Sequence, residues 1–310
     1  MYYNNVLEII GNTPIVKINK LTGKHDATVL AKLEMLNPSG SIKDRIAKYM
    51  IERAEERGIL KSDSIIVEPT TGNTGISLAM VSMIKGYKMI AIMPGGMSEE
   101  REMMIKAFGA DVSSIPNGGE VDVNLAIEKA EQMSKENPRV FLPNQFKNMD
   151  NVKTHKETTG NEILDQVGEN IDAFVAGTGT GGTLVGIAQA LKEKIPDVKI
   201  VAVEPANSPI LSGGKPGQHK IQGIGEGFIP KVLKSGLDLI HEIITVTDDE
   251  AISTTRRLAK EEGILVGISS GANMFAALKI AKKLGKNKTI VTIFPDRGER
   301  YLSNDVFKYG

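Results

Sequence analysis

Short runs of apolar residues alternate along this chain with longer stretches in which apolar positions recur every three to four residues. Short apolar runs rich in Val and Ile are typical of buried strands, whereas the longer period is typical of helices packed on one face. The runs predict strands at 29–33, 64–67, 89–93, 111–115, 173–176, 199–203, 242–246 and 289–294. The longer stretches predict helices at 43–57, 74–85, 99–108, 121–136, 158–166, 183–194, 248–262 and 273–284.

This alternation of strand and helix predicts a doubly wound α/β protein with mostly parallel sheets. The segment 143–156 contains no convincing strand, so it is the predicted boundary between an N-terminal domain (1–145) and a C-terminal domain (146–310). We expect a ligand cleft between the two domains. The long, glycine-rich stretch 206–227 is typical of a loop that covers a ligand.

Composition narrows the partner to a small molecule. The chain has 310 residues, of which 41% are hydrophobic, and its 38 basic residues equal its 38 acidic ones, so no net basic field favours nucleic acid or an anionic membrane. The N-terminus lacks the basic and apolar regions of a signal peptide, and no segment is apolar enough to span a bilayer, so we expect a cytoplasmic protein.

Metal and hydrolase chemistry are not predicted. Cysteine is absent, and the four histidines, His25, His155, His219 and His241, are not spaced as zinc ligands on one helix. The G-x-S-x-G motif of serine hydrolases is missing as well. We therefore expect no metal site.

A glycine and threonine loop, GTGTGGT at 177–183, lies between an apolar run and a helical stretch. Glycine lets the backbone approach an anion closely, and N–H groups at the start of the following helix can donate to phosphate oxygens. The loop is therefore a candidate phosphate site, formed by Gly177, Thr178, Gly179, Thr180 and Gly181.

Three interpretations of this loop stay open on its sequence alone. Gly177, Gly179 and Gly182 satisfy the G-x-G-x-x-G pattern of dinucleotide folds, and Glu204 stands where an acid that binds a ribose is expected. A compact phosphate monoester is the second interpretation, because Thr178, Thr180 and Thr183 could donate to it directly. The third is an ordinary tight turn.

Two further segments suggest chemistry. Lys43, in NPSGSIKDR (37–45), is placed at a loop-to-helix junction whose backbone N–H groups favour an uncharged amine, so it is a candidate Schiff-base lysine or else an ordinary surface residue. The loop PTTGNTG (69–75) offers backbone, hydroxyl and amide donors suited to a carboxylate, and its alternative is a capped helix start.

Together these segments resemble, over essentially the whole chain, the cysteine synthase and cystathionine β-synthase family of pyridoxal-phosphate enzymes, which have the tryptophan-synthase β type fold (fold type II). The matching motifs occur in the family order: GNTP (11–14), NPSGSIKDR (37–45), PTTGNTG (69–75), NQF (144–146), GTGTG (177–181), KPGQHKIQGIG (215–225) and GERYLS (298–303). So many matches in one order favour pyridoxal phosphate over a nicotinamide cofactor.

The resemblance implies a role for each candidate residue. Lys43 binds the cofactor as a Schiff base and removes the Cα proton of the substrate. Cofactor contacts are implied for Gly177, Thr178, Gly179, Thr180 and Gly181 (phosphate), Asn73 (the 3′ oxygen), Ser269 (the pyridine nitrogen) and Pro295. Substrate contacts are implied for Thr70, Thr71, Gly72, Thr74, Gln145 and Gly225.

Three positions depart from the usual cysteine synthase pattern. Thr71 replaces a serine, Arg297 replaces a commonly small residue, and Glu226 stands where cysteine synthases have alanine and cystathionine synthases a bulkier residue. An acid at position 226 would lie near the substrate Cβ. Two interpretations of Glu226 are open. It is either a functional residue that activates water or a thiol or binds the amino group of a second amino acid, or a solvated loop residue.

The sequence thus predicts β-replacement on a three-carbon amino acid through an aminoacrylate, in the form O-acetyl-L-serine plus sulfide to L-cysteine and acetate. Alternatives are an enzyme that consumes L-cysteine and releases sulfide, forming lanthionine or serine, a cystathionine β-synthase, and, remotely, an NAD-dependent dehydrogenase. An idle scaffold that binds serine acetyltransferase is a further alternative. The resemblance also implies a homodimer. Because little sequence follows Ser303, we expect no regulatory CBS-domain pair.

Overall fold

The computed structural model describes residues 2–95, 99–115, 123–304 and 306–307. Within these residues it has ten strands: Ile15–Lys17 (β1), Thr28–Leu33 (β2), Ile65–Pro69 (β3), Lys88–Pro94 (β4), Asp111–Ile115 (β5), Val140–Phe141 (β6), Ala173–Gly177 (β7), Lys199–Pro205 (β8), Glu242–Val246 (β9) and Thr289–Phe294 (β10).

The same residues form ten α-helices: Lys43–Glu56 (α1), Asn73–Lys85 (α2), Glu99–Ala107 (α3), Val123–Glu136 (α4), Asp150–Thr154 (α5), Asn161–Val167 (α6), Gly182–Lys194 (α7), Lys231–Lys234 (α8), Asp248–Glu262 (α9) and Ile268–Leu284 (α10). A π-helical turn, His155–Gly160, joins α5 to α6. Residues 121 and 122 of one predicted helix lie outside the described residues. No helix in the described ranges is long and apolar enough to cross a membrane.

Contacts divide the chain into two compact units. The first unit contains Met1–Ile10 and Lys43–Asp150, and the second contains Gly11–Ile42 and Asn151–Gly310. Residues 11–42, which the sequence pattern predicts to lie in the N-terminal domain, belong to the second unit because β2 pairs in parallel with β10 along its whole length. The predicted boundary at 145 also differs from the division at Asp150.

The first unit is a parallel sheet in the order β5-β4-β3-β6. Successive residues of a strand face opposite sides, and both sides of this sheet are covered. Ile66 packs in a core with residues of α1, α2 and α3, whereas its neighbour Val67 packs with Ala126 and Ala130 of α4. The predicted doubly wound arrangement is confirmed in this unit.

The second unit is a six-stranded sheet in the order β1-β2-β10-β7-β8-β9. Only β1 is antiparallel to its described neighbour, and the other strands pair in parallel. Val201 and Val203 of β8 pack in a core with residues of α9 and α10. Because β10 and β7 are parallel neighbours, the segments that follow their carboxyl ends meet at one edge of the sheet.

Candidate active site

In the first unit, the predicted carboxylate loop meets Gln145 at the carboxyl ends of β3 and β6, which are parallel neighbours. The hydroxyl of Thr74, in the first turn of α2, donates to Oε1 of Gln145 over 2.6 Å. Nε2 of Gln145 donates to the carbonyl of Pro69 over 3.2 Å. Both side chains are buried, so the structure brings these two predicted substrate residues together.

Thr70 shapes the start of the loop. Its buried hydroxyl accepts the backbone N–H groups of Gly72 at 3.0 Å and Gly75 at 3.1 Å. Gly72 has φ 143°, and a Cβ there would lie 2.2 Å from Cδ of Arg101, so only glycine fits. Arg101, a residue that sequence reasoning missed, also donates from Nη1 to the carbonyl of Thr71 over 3.4 Å.

Lys43 is the first residue of α1 and is half-buried. The carboxylate of the next residue, Asp44, accepts the hydroxyl of Ser77 over 2.6 Å, and both groups are buried. This bond fixes the start of α1 against α2, one turn beyond Asn73 and Thr74. The loop-to-helix junction predicted for Lys43 is therefore present.

Glu68 is a second residue that sequence reasoning missed. It is fully buried at the end of β3, where its carboxylate accepts the backbone N–H groups of Asn144 (2.7 Å) and Gln145 (2.9 Å). Burial raises its pKa to about 7, against the opposing effects of those two hydrogen bonds and of the charge of Lys43. The signal that could have found it is the acid within a strand of apolar residues.

The glycine and threonine loop joins β7 to α7 in the second unit. Among the described residues, the backbone N–H groups of Gly179, Thr180 and Gly181 donate to no protein acceptor. A Cβ on Gly179 would lie 2.5 Å from the carbonyl oxygen of Gly223, and one on Gly181, at φ +89°, would lie 2.5 Å from Cβ of Leu233. Free donors at a helix start and a backbone that excludes side chains suit a phosphate group.

The three threonines of this loop differ in what their hydroxyls can do. Thr178 donates its hydroxyl to the carbonyl of Val203 over 3.2 Å, so it supports the loop from within rather than offering a donor. The hydroxyl of Thr180 accepts from Nδ2 of Asn151 over 3.1 Å, which leaves its own hydrogen for an anion. The hydroxyl of Thr183 lies 3.2 Å from Nε2 of the buried His155, in the π-helical turn.

The remaining predicted residues also lie in the second unit. The N–H of Gly225 donates to the carbonyl of Thr178 over 3.0 Å, which attaches the 219–227 loop to the phosphate loop. Oε1 of the half-buried Glu226 lies 3.7 Å from the position of a Cβ on Gly179. Ser269 is buried in the first turn of α10, and the carbonyl of Pro295, after β10, accepts the N–H of Ile42 over 2.8 Å.

Glu204 does not serve as the acid of a dinucleotide site. It is buried at the end of β8, where its carboxylate accepts the N–H groups of Leu211 at 2.8 Å and Ser212 at 3.0 Å. It also accepts the hydroxyl of Ser212 over 2.5 Å. These bonds leave the carboxylate little capacity to bind a ribose hydroxyl. The interpretation of the loop as a nicotinamide site therefore lacks the acid that would bind the ribose.

Comparison with known proteins identifies the family. The family model described as pyridoxal-phosphate dependent enzyme matches residues 6–296. A cysteine synthase of Staphylococcus aureus is 50% identical over 307 residues, which cover 99% of this chain and 97% of that protein. The chain is a pyridoxal-phosphate-dependent enzyme of the cysteine synthase and cystathionine β-synthase family.

Solved structures agree with this assignment. A hydrogen sulfide-producing enzyme of Fusobacterium nucleatum has a TM-score of 0.92 at 45% identity, covering 97% of this chain and 100% of that one. An O-acetylserine dependent cystathionine beta-synthase of Helicobacter pylori has a TM-score of 0.94 at 41% identity, covering 99% and 100%. The predicted family, fold type and pyridoxal phosphate cofactor are confirmed.

The phosphate loop fits the cofactor of this family. Its free backbone donors, the hydroxyl of Thr180 and the two close glycine contacts suit a single phosphate group at the start of α7. Bound pyridoxal phosphate supplies an electron sink for negative charge at the substrate Cα. The residues of the chain then have to hold the substrate and move its proton.

Proposed function

We propose that the chain catalyses β-replacement on a three-carbon amino acid, with O-acetyl-L-serine and sulfide as substrates and L-cysteine and acetate as products. The full-length identity to a cysteine synthase carries this proposal. The pairing of Thr74 with Gln145 supports it, because buried hydroxyl and amide groups at a helix start suit an amino-acid carboxylate.

Lys43 is the proposed residue that holds the cofactor and exchanges a proton with the substrate Cα. In the first half of the reaction, Nζ of Lys43 takes the Cα proton, and acetate leaves Cβ with the electrons of the C–O bond. In the second half, hydrosulfide forms a bond to Cβ and Lys43 returns the proton to Cα. Lys43 is the first residue of α1, and a lysine that forms a Schiff base is suited to carry this proton.

The other residues bind and orient. Thr70, Thr71, Gly72, Thr74 and Gln145 are the proposed site of the substrate carboxylate. The loop from Gly177 to Gly181 holds the cofactor phosphate, while Asn73, Ser269 and Pro295 are assigned to the 3′ oxygen, the pyridine nitrogen and the ring surroundings. Gly225, whose N–H donates to the carbonyl of Thr178, is the remaining proposed substrate residue. Ser269 is a neutral partner, which favours elimination over long-lived carbanions.

The test is formation of L-cysteine from O-acetyl-L-serine and sulfide by the cofactor-loaded enzyme, with Lys43→Ala as the control. We expect product from the native chain and none above background from the variant. Product formation that survives in Lys43→Ala would contradict the role of Lys43. Absence of product from the native chain, with a normal visible spectrum of bound cofactor, would contradict the choice of substrates.

A second candidate function is sulfide release from L-cysteine, and Glu226 favours it. Its half-buried carboxylate lies beside Gly179, on a loop attached to the phosphate loop, which supports a role near the cofactor. One structural relative is a hydrogen sulfide-producing enzyme. A carboxylate at this place can take a proton from water or a thiol that adds to Cβ.

Sulfide release from L-cysteine alone distinguishes the two functions. The second candidate predicts release that falls at least tenfold in both Glu226→Ala and the isosteric Glu226→Gln, with synthesis from O-acetyl-L-serine retained. If the native chain releases no sulfide, or if both variants keep the native rate, Glu226 has no such role.

The family resemblance also leads us to propose a homodimer whose active site binds the C-terminal peptide of serine acetyltransferase. Sedimentation of the loaded enzyme should give twice the mass of the chain. The peptide should compete with L-serine for binding, and peptide binding without competition would place its site elsewhere.

A further inference from the structure

The sequence V-E-P occurs twice at the end of a parallel strand, at 67–69 in β3 and at 203–205 in β8. In both copies the buried glutamate uses its carboxylate to accept two consecutive backbone N–H groups, from the loop that follows the strand for Glu204 and from a turn 76 residues away for Glu68. Glu204 holds Leu211 and Ser212, whereas Glu68 holds Asn144 and Gln145. The chemistry is the same, but only the Glu68 loop contains a proposed substrate residue.

The turn held by Glu68 has an unfavourable backbone. Asn144 has φ +55°, a left-handed conformation that costs free energy in any residue other than glycine, although asparagine tolerates it better than most. The turn continues with N–H groups of Lys147 and Asn148 bonded to the carbonyl of Asn144. A pair of charge-assisted bonds from the adjacent N–H groups to one carboxylate offsets this strain.

The conformation of the turn sets the direction of the Gln145 side chain. Its backbone N–H is fixed on Oε1 of Glu68, and its amide then bridges the hydroxyl of Thr74 and the carbonyl of Pro69. Glu68 and Pro69 are adjacent in β3, so both ends of Gln145 are attached to the same strand end. A shift of the turn would move the amide away from Thr74.

We propose that Glu68 is a positioning residue for the amino-acid carboxylate, acting through Gln145. It does not touch the substrate; it holds the strained Asn144 turn so that the Gln145 amide and the Thr74 hydroxyl form one preorganised site. This inference rests on the proposed function, since it assumes that Gln145 binds the carboxylate. The competing account is that Glu68 is structural only, as Glu204 is in the second unit.

The experiment measures the dissociation constant of L-serine from the cofactor-loaded enzyme, by its effect on the visible absorption, at pH 8. L-Serine has the three-carbon skeleton, and its hydroxyl is a poor leaving group. Glu68→Gln keeps the shape but replaces one acceptor oxygen with a donor, so one N–H of the turn loses its partner. We expect about tenfold weaker binding of L-serine and unchanged affinity for pyridoxal phosphate.

A double-mutant cycle with Gln145→Ala tests whether Glu68 acts through Gln145. We expect Gln145→Ala to weaken L-serine binding, and Glu68→Gln to add nothing in that background. Additive losses would overturn the proposal, as would a Glu68→Gln enzyme that binds L-serine normally. If Gln145→Ala itself has no effect, the carboxylate role assumed under the proposed function fails instead, and the inference falls with it.

Glu204→Gln is the matched control, because it makes the same change in the same kind of buried contact. We expect it to lower thermal stability while the affinity for L-serine stays native. An equal loss of L-serine affinity in Glu204→Gln would mean that the effect of Glu68→Gln is general destabilisation, and would overturn the positioning role.

Asn144 provides a second route if Glu68→Gln does not fold. Asn144→Gly accepts φ +55° without strain, whereas Asn144→Ala does not, and both keep the N–H that donates to Glu68. We expect L-serine to bind Asn144→Gly as it binds the native enzyme and Asn144→Ala about fivefold more weakly. Equal affinities in the two variants would overturn the proposal.

Discussion

The hydroxyl of Thr74 donates to the side-chain carbonyl of Gln145 over 2.6 Å, which joins the loop after β3 to the turn after β6. Both side chains are buried, where a polar group needs a hydrogen-bond partner. Nε2 of Gln145 also donates to the carbonyl of Pro69, so the amide is held at both its oxygen and its nitrogen.

Thr74→Val tests this pairing, because it keeps the shape of the side chain but removes the donor. We expect the KM for O-acetyl-L-serine to rise about tenfold with a smaller change in kcat, since a ground-state binding contact is lost. Thr74→Ser keeps the hydroxyl and should remain close to native. Steady-state kinetics of the two variants would contradict the pairing if Val and Ser behaved alike.

A substitution in the phosphate loop should weaken binding of the cofactor. Gly179→Ala puts a Cβ 2.5 Å from the carbonyl oxygen of Gly223, so the two loops must move apart. We expect the affinity for pyridoxal phosphate, measured by equilibrium dialysis, to fall at least tenfold. Gly213→Ala changes an exposed loop glycine with open space around it; at φ +83° it strains the backbone and should lower stability, but it should bind the cofactor normally. Equal affinities would show that the close approach is not needed.

Arg297 is expected to affect the reactivity of Lys43, because it forms hydrogen bonds with the loop that precedes Lys43. Arg297 donates its Nε to the carbonyl of Met35 over 3.0 Å and its N–H to the carbonyl of Gly40 over 3.2 Å. These bonds hold the segment that leads into Lys43. Arg297→Ala removes the side-chain bond, so we expect a melting temperature several degrees lower and a slower reaction of Lys43 with added pyridoxal phosphate. If the melting temperature and the rate of reaction with pyridoxal phosphate both stay native, the arginine at position 297 has no such structural role.

Some helices and strands could be predicted with their correct bounds because the sequence near their ends is informative. The helix predicted at 248–262 has those bounds in the structure, where Thr247 and Glu250 form a capping box and Gly263 ends the helix in a left-handed conformation. The strands at 242–246 and 289–294 are likewise observed as predicted, since apolar and β-branched residues dominate each run. These elements carry their own start and stop signals.

Other elements were missed or predicted with wrong bounds because they depend on contacts between residues that are distant in sequence. The helix predicted to begin at 273 begins at Ile268, although Gly271 is a poor helix former. A Cβ on Gly271 would lie 2.1 Å from the hydroxyl of Thr255, so this glycine is needed for the close packing of α10 on α9. The strands β1 and β6 were missed because they are three and two residues long and form only by pairing with longer neighbours.

The residues of the candidate site also fall into those that the local sequence predicts and those that it does not. Residues that lie in dense motifs, such as Thr74 and the loop from Gly177 to Gly181, could be named from the sequence. Glu68 and Arg101 could not, because their importance comes from partners at Gln145 and Gly72 that are distant in sequence. A local sequence pattern cannot predict which backbone groups will form hydrogen bonds with a buried charged side chain.

The raised pKa of Glu68 predicts how stability depends on pH. Burial raises this pKa to about 7 from its ordinary value of 4.5, so the folded chain binds the proton more tightly than the unfolded chain does. The stabilising effect of the proton is fully present below pH 4.5 and is lost as the pH rises through about 7. The loss across that window is about 3 kcal/mol for one buried group.

Glu68→Gln isolates this contribution, because glutamine does not titrate. We expect the free energy of unfolding of the variant, relative to the native chain, to rise by about 3 kcal/mol between pH 4.5 and 7 and then to level off. Denaturant unfolding at a series of pH values measures the difference, and the matched Glu204→Gln variant shows which part of any slope belongs to Glu68. A difference that stays constant over the window would mean that the pKa of Glu68 in the folded chain is not raised from its ordinary value. In that case the two N–H bonds and the charge of Lys43 together balance the desolvation of its carboxylate.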